Sequence, residues 1–380
     1  MPAPRLQALH DAGQSLWLDY IDRPMLHNGE LERRIRDDVL TGMTSNPAIF
    51  EKALAQGTAY DAQVTALTGE RTAWQLFEAL ASTDVRAACD RFRPVFDRTG
   101  GADGYVSLEV SPNVANDADG TVREARHLWQ LVDRPNVMIK VPGTAAGCAA
   151  LRQLIADGIN VNVTLLFAVE AYAAVVEAYL EGLEARRAAG APLGAVASVA
   201  SFFVSRVDTE IDKRLDAKVA AGQLTAAAAT SLKGKAAIAN AKLAYRLFTE
   251  RFSGARWDAL SAQGARVQRP LWASTSTKNP TYRDVIYVEE LIGPQTVNTL
   301  PPATLEAFRD HGETRRTIDV DVAEAERALA AVETAGISVH DVTNQLLAEG
   351  LAAFQKSFDT LLAGLEAKAA AMGRPVVAGR

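Results

Sequence analysis

The amino-acid sequence predicts an α/β protein, a (β/α)8 TIM barrel with additional C-terminal helices. Two patterns carry this prediction. Eight short apolar runs alternate with longer segments in which apolar residues recur every three or four positions. The short runs are apolar on both faces, as the strands of a parallel barrel must be, because helices cover one face and the packed lumen covers the other.

The predicted strands follow one another along the chain and share a composition rich in Val, Leu, Ile or aromatic residues. In chain order they read "SLWLDY", "DVLTGMTSN", "GYVSLEVSP", "VMIKVPG", "NVNVTLLF", "AVASVASFF", "RPLWASTS" and "QTVNTLP". An open doubly wound sheet is the alternative architecture. The chain contains neither GxGxxG nor GxxxxGK[ST], the glycine-rich phosphate loops of such sheets, so we favour the closed barrel.

The segments between the strands carry helix signals of their own. Residues 72–96 repeat apolar side chains at helical spacing, behind Thr72 as a candidate N-cap. Residues 144–158 end on Gly158, which suits a helix C-cap. Periodic or Ala-rich segments that we also predict as helical are 121–132, which follows the turn "NDADG", 171–190 and 225–252.

About eighty residues of mostly helical pattern follow the eighth strand. No change of composition and no Pro/Gly-rich linker separates them from the preceding chain. We therefore predict that residues 1–320 form the barrel and that residues 321–380 form a helical extension packed on it, within one structural domain. We expect this extension to help close the mouth of the barrel.

Composition excludes several classes of function. The chain has 380 residues, of which 48% are hydrophobic and 23% charged, as in ordinary soluble globular proteins. Its net charge of −6, with Lys and Arg scattered, argues against a nucleic-acid partner. The N-terminus shows no signal peptide, and Glu170 and Glu177 interrupt the most apolar region, so we expect no membrane span. We expect a cytoplasmic protein, and the sequence leaves its oligomeric state open.

Cysteine and histidine usage predicts no metal site. Cys89 and Cys148 lie in helical segments without metal-ligand or redox spacing, which is typical of free thiols in a core. The histidines lie far apart in the sequence and away from the strand ends, so we expect no metal cofactor. They are His10, His27, His127, His311 and His340.

Polar residues stand at the ends of the predicted strands, where barrel enzymes gather their catalytic groups. One such residue is usually solvated or caps a helix, but seven of the eight strands end this way. The residues are Asp19, Asn46, Glu109, Lys140, Asn162 with Thr164, Ser201, and Ser274. The eighth strand ends near Asn298 and Thr299, which add nothing diagnostic. The mixture of carboxylates, amides, hydroxyls and an amine predicts an active site.

Lys140 is the most unusual of these residues, because lysine is rarely buried and this one interrupts an apolar strand. If Ile139 and Val141 face the helices, Lys140 points into the barrel. Desolvation there disfavours the charged ammonium, and a neutral amine is the nucleophile that forms a Schiff base with a ketone. A buried ion pair with Glu109 or Asp19 explains the lysine equally well, and the residues alone leave both interpretations open.

Several longer motifs carry a family resemblance. They are "TGMTSNPAIFEKAL", "SLEVSPNVANDADGTVREAR", "NVMIKVPGT", "INVNVTLLF", "VASFFVSRVDTEID" and "PLWASTSTKNPTYRDVIYVEELIGPQTVNTLP". In this order they resemble the transaldolase family, in its longer bacterial form. The resemblance implies a Schiff-base (β/α)8 barrel that uses neither a metal nor an organic cofactor. It implies that sugar phosphates are the substrates: sedoheptulose 7-phosphate and glyceraldehyde 3-phosphate become erythrose 4-phosphate and fructose 6-phosphate by transfer of a dihydroxyacetone unit.

The resemblance also implies roles for the strand-end residues. Lys140 would form the Schiff base, and Asp19, with Asp22 as the alternative, would take the proton of the C4 hydroxyl. Glu109 would act through a water molecule held with Thr164. The residues implied for substrate binding are Asn46 and Asn162 for the hydroxyls of the three-carbon unit, Ser201 and Phe203 for the pocket wall, and Arg206 for the distal phosphate.

The sequence departs from the family pattern after the seventh strand. Shorter transaldolases carry an arginine in this loop, whereas this chain reads "ASTSTKN". Ser274 and Lys278 are the candidates for the phosphate contact, although a lysine offers a point charge and no bidentate fork. Lys278 could equally be a solvated loop residue.

Two other functions compete with transfer of the three-carbon unit. A Schiff-base aldolase or lyase on the same barrel would release free dihydroxyacetone. A non-catalytic barrel would bind sugar phosphates without covalent chemistry.

Overall fold

A computed structural model describes residues 3–55, 57–67, 69, 71–373 and 376–377. Eight parallel strands form a closed barrel in which each strand pairs with its neighbours in chain order and β8 pairs with β1. The strands are β1 (Gln14–Asp19), β2 (Leu40–Thr44), β3 (Tyr105–Glu109), β4 (Val137–Pro142), β5 (Val161–Leu166), β6 (Ser198–Phe203), β7 (Arg269–Ala273) and β8 (Thr296–Leu300). The predicted (β/α)8 barrel and all eight predicted strands are confirmed.

Helices connect the strands and cover the outside of the barrel. Up to β4 they are α1 (Pro4–Asp11), α2 (Arg23–His27), α3 (Glu30–Asp37), α4 (Pro47–Ala55), α5 (Asp61–Leu67), α6 (Ala73–Arg98) and α7 (Ala118–Val132). From β4 to β8 they are α8 (Ala145–Asp157), α9 (Val169–Ala188), α10 (Ser205–Ala220), α11 (Ala226–Leu232), α12 (Ala236–Arg251), α13 (Gly254–Ser261) and α14 (Ile286–Glu289). After β8 come α15 (Pro302–His311), α16 (Val322–Thr334) and α17 (Val339–Ala371). Short 3-10 turns lie at Pro112–Val114 and Leu193–Ala195.

The predicted caps of two helices are present. Thr72 accepts a hydrogen bond from the backbone N–H of Gln75 at 3.2 Å, and the Gln75 side chain accepts one from the Thr72 N–H at 3.1 Å. This reciprocal capping box fixes the start of α6. Gly158 ends α8 in the left-handed conformation, at φ +87°, which a glycine adopts without steric cost.

Two predicted helices differ from their expected bounds. The Ala-rich segment 225–252 forms two helices, because Gly234 takes a positive φ of +71° between α11 and α12. Helix α7 begins inside the predicted turn, since the Asp117 side chain caps it by accepting a hydrogen bond from the Gly120 N–H at 2.9 Å.

The lumen of the barrel is filled by side chains. Trp17 is fully buried, and a Cβ placed on Gly42 of the neighbouring strand would lie 2.5 Å from its indole ring. Only glycine therefore allows the indole to lie across the lumen at this level. Trp17 lies two positions before Asp19, which ends β1 at the carboxyl end of the barrel, where the functional groups of barrel enzymes lie.

The C-terminal helices pack on the barrel from two sides. Helix α16 contacts α12, and α17 contacts α4, α6, α10 and β5. Phe358 of α17 lies against Trp74 and Phe77 of α6, with ring centroids 5.2 Å and 6.3 Å apart. These aromatic contacts hold α17 beside the carboxyl end of the barrel. Within the described residues, no helix is long and apolar enough to cross a membrane.

Candidate active site

A cavity of about 380 Å³ opens at the carboxyl end of the barrel. The predicted site residues that line it are Asp19, Asn46, Lys140, Thr164, Ser201, Phe203, Arg206, Ser274 and Lys278. Glu109 and Asn162 are not on its wall; each contacts a lining residue from behind. The strand-end pattern in the sequence thus predicts a real convergence of polar groups.

A larger cavity of about 490 Å³ lies at the amino end, beside Tyr105, Met138 and Arg269. Its wall contains no lysine and no carboxylate. Volume therefore does not identify the active site here, and we choose the smaller cavity, because it combines an amine with a carboxylate.

Lys140 lies inside the barrel, with 5% of its surface exposed. Its Nζ donates a hydrogen bond to the carbonyl oxygen of Ser45 at 3.0 Å and lies 3.5 Å from Glu109 Oε2. Strands β3 and β4 place these two residues side by side, because Glu109 and Lys140 are partners in the strand register. The ion pair with Glu109 that the sequence left open is present, and the lysine also lines the cavity.

The carboxyl group of Glu109 is nearly buried beside Lys140. Burial raises its pKa to about 7, against the opposing effect of the Lys140 charge, and the nearby Asp19 charge adds to the rise. Glu109 Oε2 and Thr164 Oγ1 are both buried and have no hydrogen-bond partner among the described residues. A group with a pKa near neutrality can give or take a proton at physiological pH.

Asp19 ends β1 and points into the same cavity. The Thr44 hydroxyl donates a hydrogen bond to Asp19 Oδ1 at 2.7 Å. Burial raises the pKa of Asp19, while the Lys140 charge and the Thr44 hydrogen bond oppose the rise. Asp22, the alternative base, caps α2 by accepting from the Met25 N–H at 2.8 Å and lies outside the wall of this cavity.

The amides lie at opposite depths. Asn162 is fully buried: its Nδ2 donates to Ser107 Oγ at 3.0 Å, and its Oδ1 accepts from Ser201 Oγ at 2.7 Å. These contacts fix the orientation of both the amide and the Ser201 hydroxyl. Asn46 lies on the wall of the cavity, where its Oδ1 accepts from the Ile49 N–H at 3.0 Å in the first turn of α4.

Arg206 supplies positive charge at the mouth of the cavity. It lies in the first turn of α10, with its guanidinium carbon 5.5 Å from the centre of the Phe203 ring. Burial lowers its pKa, which the Glu349 charge opposes. Across the described part of the chain Arg206 makes no ion pair, so its donors are available to an anion.

The seventh-strand loop reaches the cavity through Ser274 and Lys278. Ser274 has a φ of +55°, a conformation that costs free energy for residues other than glycine. Its Oγ lies 3.1 Å from Ser205 Oγ, and its carbonyl accepts a hydrogen bond from the Ser205 N–H at 3.0 Å. Lys278 is exposed and donates to Ser276 Oγ at 2.8 Å. Lys278 thus borders the cavity while remaining in contact with solvent.

Sequence reasoning missed several lining residues. Thr299 of β8, to which we assigned no role, also lines the cavity. Thr44 of β2 could have been identified from the sequence, because it lies two positions before Asn46 and strand alternation places both on the same face. The other missed lining residues with polar or large side chains are Ile49, Lys52, Ser276, Phe354 and Ser357. Phe354 and Ser357 come from α17, and no local sequence signal places that helix here.

Comparisons with known proteins agree with this geometry. The family model described as Transaldolase/Fructose-6-phosphate aldolase matches residues 16–365. The chain is 50% identical over 359 residues to the Transaldolase of Thermobifida fusca, covering 94% of this chain and 96% of that protein. It is 46% identical over 374 residues to Transaldolase 2 of a Nostoc species, covering 97% and 98%. It is 49% identical over 362 residues to the Transaldolase of Acidothermus cellulolyticus, covering 95% of each chain. The chain belongs to the transaldolase/fructose-6-phosphate aldolase family.

Proposed function

We propose that this protein is a cytoplasmic transaldolase, which moves a dihydroxyacetone unit from sedoheptulose 7-phosphate to glyceraldehyde 3-phosphate. The observation that carries the proposal is the buried amine of Lys140, which faces the cavity between the carboxylates of Asp19 and Glu109. Relatives named transaldolase that match over nearly their full length support it. In this proposal the products are erythrose 4-phosphate and fructose 6-phosphate.

The first step requires an uncharged Lys140. Glu109 lies 3.5 Å from Nζ, and its pKa of about 7 allows it to accept the ammonium proton. The neutral amine then attacks C2 of the ketose, and loss of water gives an iminium ion. The iminium accepts the electron pair that remains on C3 when the C3–C4 bond breaks, a role that otherwise needs a metal ion.

Asp19 acts as the base for the cleavage. It takes the C4 hydroxyl proton while the C3–C4 bond breaks, the aldehyde leaves, and an enamine remains on Lys140. Burial raises the pKa of Asp19 and so makes it a stronger base than an exposed aspartate. With the second aldehyde the steps run in reverse: the enamine carbon attacks the aldehyde, and Asp19 returns its proton to the new hydroxyl.

Glu109 and Thr164 assist proton transfer during the formation and breakdown of the carbinolamine. Their buried oxygens, Oε2 and Oγ1, have no hydrogen-bond partner in the described residues, which fits a water molecule held between them. That water would carry protons between Glu109 and the carbinolamine oxygen. This is the division of labour between two acids that the reaction requires, with Asp19 acting at C4 and Glu109 acting at C2.

Binding of the substrate uses the remaining predicted residues. Arg206, which has no ion-pair partner in the part of the chain that the structure describes, binds the terminal phosphate. The phosphate is also contacted from the seventh-strand loop by Ser274 and Lys278, which border the same cavity. Asn46 holds a hydroxyl of the three-carbon unit, and Ser201 and Phe203 form the pocket wall. Asn162, which the resemblance also implied for a hydroxyl, acts from behind the wall by fixing the Ser201 hydroxyl. Local positive charge is needed because the protein carries a net charge of −6 and its substrates are anions.

Transfer further requires that the enamine survives until the second aldehyde arrives. Phe354 and Ser357 of α17 line the cavity, so this helix limits the entry of water from the mouth. We propose that residues 1–320 act as the catalytic barrel, with residues 321–380 as an extension of the same domain that covers it. Unchanged turnover in a chain shortened after residue 320 would contradict this assignment.

The deciding experiment is borohydride reduction of the protein in the presence of fructose 6-phosphate, followed by peptide mass mapping. We expect a reduced three-carbon adduct on the peptide that contains Lys140, and none in Lys140→Met. Transfer to erythrose 4-phosphate is then measured with a coupled assay. Adduct formation with release of free dihydroxyacetone and no transfer would indicate an aldolase, and an adduct on another lysine would overturn the proposal.

A further inference from the structure

Three side chains on neighbouring strands form a chain of contacts that ends on Asp19. Thr44 Oγ1 donates to Asp19 Oδ1 at 2.7 Å and lies 2.6 Å from Thr299 Oγ1. Strand β1 lies between β8 and β2, so the two threonines flank the strand of Asp19 from either side. Both are at least 96% buried and both line the cavity. Regular strands therefore fix all three positions.

The number of protons determines the direction of these hydrogen bonds. A threonine hydroxyl has one proton, and an ionised carboxylate can only accept. With Asp19 ionised, Thr44 gives its proton to Asp19, so the 2.6 Å contact requires Thr299 to donate to Thr44. With Asp19 protonated on Oδ1, the order reverses: Asp19 donates to Thr44, Thr44 donates to Thr299, and the Thr299 proton turns away from the chain.

We propose that Thr299 is a positioning residue that acts through Thr44 to hold Asp19 in its ionised form before the C3–C4 bond breaks. This inference rests on the proposed function, in which Asp19 takes the C4 proton. The pair of threonines offers a hydrogen-bond partner to both forms of the base. It donates to the carboxylate before cleavage and accepts from the carboxylic acid after it, and it favours the ionised form because the hydrogen bond to the charged carboxylate is the stronger of the two.

The charges around Asp19 explain why such help is needed. Burial opposes the ionised form, and the groups that face Asp19 across the lumen are Lys140 from β4 and Glu109 from β3, which act in opposite directions. Other cations on the cavity wall are Lys52, Arg206 and Lys278. The charge on the Lys140 nitrogen changes during the reaction, since the iminium is positive and the enamine is neutral. The two hydroxyls do not depend on that charge.

The test is the pH dependence of kcat/KM for Thr44→Val and Thr299→Val. Each change removes a hydroxyl at nearly constant volume. We expect the acidic limb of the Thr44→Val profile to move up by about one pH unit, because a hydrogen bond to the charged form is lost. Thr299→Val should move it the same way by a few tenths of a unit, since it acts through a neighbour. Thr44→Ser and Thr299→Ser keep the hydroxyl and should restore the wild-type limb.

A second measurement follows the protonation state of Asp19 directly, in the absence of substrate turnover. The infrared carboxyl band of protonated Asp19, assigned by its absence in Asp19→Asn, should persist to higher pH in both valine variants. If Thr299→Val folds poorly, Thr299→Ala replaces it in both measurements. Lower activity at every pH with an unmoved limb would show a merely structural role and overturn the inference.

The same samples are tested for the borohydride adduct on Lys140. No adduct in the wild type overturns the proposed function and this inference with it. An adduct with an unmoved limb overturns this inference alone.

Discussion

The two ends of the barrel lumen each hold a buried carboxylate at the same distance from a cation. At the carboxyl end Glu109 lies 3.5 Å from Lys140, and at the amino end Asp103 lies 3.5 Å from Arg269. At the amino end the Asp103 carboxylate also accepts from the Ser15 hydroxyl and from Trp17 Nε1. The Glu109 carboxylate accepts no comparable hydrogen bond from the described residues.

This difference separates stability from reactivity. Arginine does not lose its proton in proteins, and the hydrogen bonds to Asp103 keep that pair in one arrangement. Lysine can lose its proton when buried, and the partner Glu109 has a pKa of about 7. The same distance between charges therefore suits a structural role at one end and, in the proposed function, proton transfer at the other.

The largest expected effect comes from exchanging each cation for methionine. Lys140→Met should lower kcat/KM by at least ~10³-fold, because no other group forms the Schiff base. Arg269→Met should leave turnover per folded molecule close to wild type but lower the free energy of unfolding by about 3 kcal/mol, because Asp103 is left buried without its cation. Steady-state turnover and urea unfolding of both variants check this. An inactive but folded Arg269→Met protein would contradict the comparison.

A smaller effect is the pH dependence of stability at Glu109. Its pKa is raised from 4.5 to about 7 in the folded protein, so between these values the folded state binds more protons than the unfolded chain. The stability of the wild type should therefore fall, relative to Glu109→Gln, as pH rises from 4.5 to 7. The change across this window is at most about 3 kcal/mol. Urea unfolding at several pH values measures it, and a flat or rising difference would refute it.

The next effect compares two cations that line the active cavity, the partly buried Arg206 and the exposed Lys278. Arg206→Met should raise KM for sugar phosphates by roughly 10- to 100-fold, because a desolvated charge-assisted contact is lost. Lys278→Met should raise KM only by about threefold with kcat unchanged, since exposed charges are screened by water.

The matched control for these two variants is Lys356→Met, an exposed lysine of α17 outside the cavity wall, which should change neither constant. A larger effect at Lys278 than at Arg206 would place the phosphate on the seventh-strand side.

Sequence reasoning reached the strands and their polar ends because both depend on local periodicity. The alternation of strand side chains places Lys140 in the lumen as soon as Ile139 and Val141 face the helices. Family resemblance supplied the roles, while the geometry explains why Asp22 caps a helix and Asp19 faces the cavity.

The remaining features depend on contacts between residues far apart in the chain. Phe354 and Ser357 line the cavity only because aromatic packing of Phe358 on α6 fixes α17. The contact between Thr44 and Thr299 joins strands separated by 255 residues, and closure of the barrel brings them together. Neither contact leaves a pattern in a local stretch of sequence.

The cavity that holds Lys140 and Asp19 is bordered by Phe354 and Ser357 of α17. In the proposed reaction the ketose donor and the aldehyde acceptor both bind in this cavity. The departing and the arriving aldehyde would then occupy the same place beside the enamine, so the first must leave before the second binds, which is a ping-pong order. The rate at which one aldehyde leaves the cavity and the next one binds sets an upper limit on turnover, however fast the bonds are made and broken.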